Sequence, residues 1–148
     1  MNMLLREDTF YSFLLEEAFI KTSNDFTIDG HVNKEFYEDE KEEISYSLSE
    51  WSQIQKICFD LIKGKHTPIK FNFIMHLKPD IIPKLLPDFD FDNNSVDFIV
   101  SISFANGYIR LTSATSIKSF TLDKSHEKIW DDTLRKFLFS KEIEYEEL

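Results

Sequence analysis

Asp88, Asp90 and Asp92 stand two residues apart, the 1-3-5 spacing with which a calcium loop presents carboxylates. The pattern then breaks. The sixth position of such a loop is glycine and here is Asn93; the twelfth is a bidentate glutamate and here is Ile99. Phe89 and Phe91 between the acids suit an extended stretch better than a metal loop. His31, His66, His76 and His126 show no His-x-x-x-His or His-Glu-x-x-His spacing, so no transition-metal motif is present. Cys58 is the single cysteine, which excludes an intramolecular disulfide and a cysteine-based zinc site. It sits beside Ile57 on an apolar stripe, where a thiol behaves as a small hydrophobe.

Nucleotide chemistry finds no frame either. A phosphate loop needs clustered glycines whose backbone N–H groups approach the phosphates. Gly30, Gly64 and Gly107 are far apart, and Gly64-Lys65 is followed by His66 at the expected end of a helix. That end presents carbonyls, the wrong polarity for an anion. Lys63, Lys65 and His66 therefore form a candidate basic site by their side chains alone. No Gly-x-Ser-x-Gly elbow occurs. For acid–base work the candidates are Asp29 next to His31, and Asp123 next to Lys124 with Lys118 nearby. Turn and capping roles account for both aspartates equally well. No catalytic residue, cofactor or metal is assigned from these residues.

Elements that position these groups follow from periodicity. Alternation from Phe13, with turn residues Ser23, Asn24 and Asp25, predicts a β-hairpin over about Leu15 to Asp29, closed by Gly30. Asn33 to Ser45 reads as an acidic surface loop. Ser47 and Glu50 have capping-box spacing. Leu48, Trp51, Ile54, Ile57, Cys58, Leu61 and Ile62 then make one apolar stripe, predicting a helix over about 48 to 63 that Gly64 and Pro68 end. Ile69 to Lys78 alternates as a strand, Pro79 and Pro83 bracket a helical turn, and Asp97 to Ala105 is a further strand. Asn106-Gly107 is a type I′ hairpin signal. Tyr108 to Ala114 returns, Ser116 to Leu122 is a candidate third strand, Ser125 starts a last helix, and Ile143 and Tyr145 suggest a terminal edge strand. The order predicts an α+β fold: a mostly antiparallel sheet with two main amphipathic helices packed on it, in a single domain.

Three stretches carry a resemblance. They are Phe26-Thr-Ile-Asp-Gly30 leading to His31, Ile62-Lys-Gly-Lys-His-Thr-Pro68, and Thr115-Ser-Ile-Lys-Ser-Phe-Thr-Leu-Asp-Lys124 before Trp130-Asp131. Together they resemble a domain-of-unknown-function family of small proteins from clostridia and related anaerobic bacteria, over nearly the whole chain. The resemblance implies a bacterial, cytoplasmic, single-domain protein and brings no activity, cofactor or catalytic residue with it.

Composition narrows the function classes. The chain has 148 residues, 42% of them hydrophobic, enough for a core without disulfides or metals. No stretch reads as a signal peptide or a membrane span. Of the formal net charge of −10, Glu35 to Glu43 carries −5 and Glu142 to Leu148 carries −4, so the body between them is nearly neutral. With 15 Phe, 5 Tyr and 2 Trp, the aromatics exceed what a small core needs, which points to an exposed patch for self-association or a protein partner. The leading expectation is a non-catalytic binding module. A nucleic-acid accessory role is the first alternative, since Asn106-Gly-Tyr-Ile-Arg-Leu-Thr-Ser-Ala-Thr115 is similar to the meander of bacterial sliding-clamp domains. It requires Lys63, Lys65, Lys70, Arg110, Lys118 and Lys124 to share a face. A small-metabolite enzyme, needing a pocket that joins Asp29, His31 and Asp123, is the second.

Overall fold

A computed structural model describes residues 1–87, 96–117 and 125–148. The chain opens with a one-turn helix, α1 (Asn2–Leu5), and continues into the antiparallel pair β1 (Phe13–Lys21) and β2 (Asp25–Asp29). A 3-10 segment (Lys34–Glu43), broken at Glu38 by a positive φ of 48°, leads to the two-residue strand β3 (Ser49–Glu50) and to helix α2 (Trp51–Ile62). Strand β4 (Lys70–Leu77), the short helix α3 (Ile82–Leu85), the long strands β5 (Val96–Ala105) and β6 (Tyr108–Ile117), and helix α4 (Ser125–Ser140) complete the order.

The strands form one antiparallel sheet in the order β2-β1-β4-β5-β6, with β3 beside β2 on the same edge of β1. The predicted α+β architecture is what the chain adopts. Alternation decides which side chains face the helices. Phe13, Leu15, Ala18 and Ile20 of β1, Phe71, Phe73 and Met75 of β4, and Phe98, Val100 and Ile102 of β5 are all buried. Trp51 of α2 meets the Phe73 ring at 5.1 Å, and Trp130 of α4 meets Phe98 at 5.4 Å. Both helices therefore cover the same face of the sheet. Fully burying one such aromatic contributes about 2 to 3 kcal/mol.

Polar buried groups tie α1 to α2. The amide nitrogen of Gln55 donates to the carbonyls of Leu4 (3.0 Å) and Glu7 (2.7 Å), and its oxygen accepts from the Tyr11 hydroxyl (2.7 Å). Trp51 Nε1 also donates to the Leu4 carbonyl. Glu50 reaches Lys78 at 2.7 Å, and the Tyr46 hydroxyl donates to Asp80 at 2.6 Å.

Several local expectations are corrected. The helix starts at Trp51, because Ser49 and Glu50 pair with Leu15 and Leu14 in the sheet. The capping box does not form, since Glu50 makes no side-chain cap and its carboxylate holds Lys78. Ile57 is half exposed while the polar Gln55 is buried, so the buried stripe runs Trp51, Gln55, Cys58, Ile62. The helix ends in an extended Lys63, and Gly64 has a φ of 153°, outside the left-handed helical region that a C′ glycine adopts. Ile69 is exposed ahead of β4. β6 runs unbroken to Ile117, where the sequence suggested a break after Ala114. No terminal strand forms at Ile143 and Tyr145; the Ile143 N–H donates to the Leu138 carbonyl and Glu147 pairs with Arg135.

Candidate functional site

The hairpin of β5 and β6 turns on two residues with positive φ, Asn106 (53°) and Gly107 (82°), as a type I′ turn requires. Such a loop is closed by a hydrogen-bonded pair, here Ala105 and Tyr108. The ladder alternation then follows. Tyr108, Arg110, Thr112, Ala114 and Ser116 turn their backbone groups to β5, while Ile109, Leu111, Ser113, Thr115 and Ile117 turn theirs outward. Among the described residues no hydrogen bond reaches those outward groups.

Among the described residues β6 is thus an open edge ten residues long, paired to β5 without a bulge, and Arg110 is its only charged residue. The opposite edge is different. β2 is five residues long and begins and ends with aspartate. Short, charged edges resist strand addition, and long uncharged ones invite it.

Helix α4 lies beside the open edge. Ser113 donates its hydroxyl to Asp131, and the Trp130 indole N–H donates to the Ile99 carbonyl at 2.9 Å. Between helix and strand runs a half-open cleft of about 340 Å³, lined by Ser113, Ala114, Thr115, Glu127, Trp130 and Asp131. Glu127 and Asp131 are four residues apart on one helix face, and neither has an ion-pair partner among the described residues. One turn from Trp130, His126 is buried with a ring nitrogen, Nε2, that makes no hydrogen bond among the described residues. A groove bounded by a free strand edge and a helix suits an extended polypeptide, which takes main-chain bonds from the strand and side-chain contacts from the helix.

The sequence candidates fall elsewhere. Asp29 accepts from the His31 backbone N–H (2.9 Å) and lies 2.6 Å from His31 Nδ1. The backbone N–H first, and then the ring, hold the Asp29 carboxyl below the usual carboxylate range. The pair is well exposed on a turn, with Gly30 between them closing β1 against β3. Lys63 pairs with Asp60 at 3.1 Å and lies over the Phe59 ring, with Lys65 and His66 exposed in the turn beyond. That turn is at the far end of α2 from β3, a helix length of about 18 Å. Lys70 and Arg110 project from the uncovered sheet face. The structure therefore joins Asp29 to His31 but brings neither to Lys63, Lys65 and His66. Lys118, Asp123 and Lys124 lie outside the described residues, as do Asp88, Asp90 and Asp92. Cys58 is fully buried, and burial pushes its thiol up to about 12. Among the described residues no group of His, Cys, Asp and Glu is placed to hold a metal ion, and no helix is long and apolar enough to cross a membrane.

Sequence reasoning missed Ser113, Thr115, Glu127 and Asp131. The signal available was the run from Leu111 to Ile117 without a charge or a proline, which becomes an open edge only once the strand order is known.

An α+β domain with one open sheet edge and a polar strand–helix groove is the class this architecture defines. The chain belongs to the family described as "Family of unknown function (DUF5721)", whose model matches residues 3–146. No curated protein and no solved structure matches it.

Proposed function

We propose that this protein is a non-catalytic interaction module of the bacterial cytoplasm that receives an extended segment of another polypeptide along β6. The observation that carries the reading is the unpaired edge of β6 next to the cleft under α4. Outward N–H and C=O groups supply affinity without dictating sequence, and the cleft supplies a place for alternate side chains. The exposed apolar residues at the hairpin end, Tyr108 and Ile109, extend the surface along the same strand.

Display selection with short random peptides tests it. Peptides selected on the wild type should fail to bind Thr115→Pro, which removes one outward N–H and leaves the β5 ladder intact. The amide protons of Leu111, Ser113 and Thr115 should gain exchange protection on binding. Peptides that bind both proteins equally would sink the proposal.

A second reading has its own support. Lys21, Lys70 and Arg110 occupy the uncovered face of the sheet with Phe19 and Tyr108, and Lys70 lies over the Phe19 ring at 5.6 Å. Cations interleaved with aromatics are the means by which sheets hold single strands of nucleic acid. Salt-sensitive binding of an oligothymidine, lost in Lys70→Glu, would favour it; no binding at low salt would remove it.

A further inference from the structure

We infer that the segment received along β6 is basic, with lysine or arginine at every second position facing α4. The inference rests on strand addition at β6 and adds the chemistry of the partner.

Glu127 and Asp131 lie four residues apart on α4 and both line the cleft beside Ser113 and Thr115. Along a helix that interval is about 6 Å. Along a strand, side chains on one face recur about every 6.8 Å. The two repeats are close in length, and both carboxylates line the cleft with Ser113 and Thr115, so a strand laid against β6 can offer one side chain of its α4-facing side to each. Asp131 already accepts the Ser113 hydroxyl, which fixes one oxygen and leaves the other to the groove. Neither carboxylate has a cation of its own among the described residues. The chain as a whole carries a formal charge of −10, which draws cationic segments from a distance.

The same two residues argue against a second copy as the occupant. Pairing β6 with β6 of another copy makes one continuous sheet with both α4 helices on the same side. Glu127 and Asp131 of each copy then approach their counterparts, and like charges at a junction oppose it.

The experiment uses the whole chain and three labelled extended peptides, alternating valine with lysine, glutamine or glutamate, read by fluorescence anisotropy. The lysine peptide should bind on the order of tenfold more tightly than the glutamine peptide, and the glutamate peptide should be weakest. The double variant Glu127→Gln with Asp131→Asn should erase that order. Thr115→Pro should abolish binding of every peptide, with folding checked by circular dichroism. Protection of the outward amides in the wild type provides a readout that does not depend on the variant folding.

Equal binding of the lysine and glutamine peptides, lost in Thr115→Pro, would overturn the basic partner and leave strand addition standing. Binding of the lysine peptide without amide protection would overturn strand addition itself. Failure of all three peptides would overturn both. A dimer in sedimentation that Thr115→Pro dissolves would assign the edge to a second copy and overturn the basic segment.

Discussion

A Cβ placed on Gly30 would lie 1.8 Å from the carbonyl oxygen of Leu15, inside any permitted contact. The atom in the way is backbone, and it belongs to a strand held on both sides. Gly30 donates its N–H to the Glu16 carbonyl (2.8 Å), and its own carbonyl accepts from Ser49 (2.7 Å). The glycine thus fastens β2 and β3 to one edge of β1, at the bulge where the register shifts between Leu15 and Glu17. Gly30→Ala should destabilise the protein by about 3 kcal/mol, because the clash has no flexible side chain to absorb it. Urea denaturation reads this as a lower midpoint. An unchanged midpoint would mean that the joint opens without cost.

Gln55 is the buried polar clamp between α2 and the first residues of the chain. Gln55→Leu keeps the volume but removes two donors and an acceptor, leaving the Glu7 carbonyl and the Tyr11 hydroxyl to find other partners, while the Leu4 carbonyl keeps only the Trp51 indole. The expected cost is about 2 kcal/mol, since stranded buried groups lose their hydration as well as their bond. Thermal denaturation measures the loss. Faster amide exchange over residues 1 to 12 in the variant would place it at α1.

The Tyr46–Asp80 hydrogen bond sets a pH window. The Tyr46 hydroxyl holds the Asp80 carboxyl below its usual 3.8, and Asp80 in turn pushes the Tyr46 phenol up to about 12. A depressed carboxylate stabilises above its unfolded pKa, and that contribution is lost as the pH falls below about 3.8 through the folded value. A raised phenol stabilises fully below about 10, and its contribution is lost as the pH rises toward about 12. Tyr46→Phe should therefore lose both dependences. In ultraviolet titration it should lack the tyrosine that ionises latest. A full set of normally titrating tyrosines in the wild type would contradict the bond.

Cys58 should be inert in the folded protein. Its thiol is fully buried, and desolvation raises it to about 12, so almost no thiolate exists at mildly alkaline pH. Iodoacetamide should label it only in denaturant, at the rate of an ordinary thiol. Rapid labelling of the native protein would require a local opening of α2 away from β1.

Much of the fold is legible in residue order, and the limits have physical causes. Asn106-Gly107 announces its hairpin because only a few residues accept two successive positive φ angles. The alternations of Phe71 to Leu77 and Val96 to Phe104 announce a sheet with one covered face. Ile57 belongs to the apolar stripe by spacing yet is half exposed, while Gln55 is buried, because burial on α2 is decided by partners distant in sequence, the carbonyls of Leu4 and Glu7. Glu50 was misread because its spacing from Ser47 suits a cap, while Lys78 offers a charge-assisted bond instead. The groove was not legible at all. It joins a strand edge to a helix face, and neither has a spacing signature until the topology makes β6 the last strand.

The two acids that bound β2 have a consequence for assembly. A sheet that accepted strands at both edges would grow without limit, each chain templating the next into a fibre. Here β2 is short and bounded by Asp25 and Asp29, which opposes addition of another copy's β6 on that side. Copies of this chain therefore cannot propagate edge to edge into a fibre.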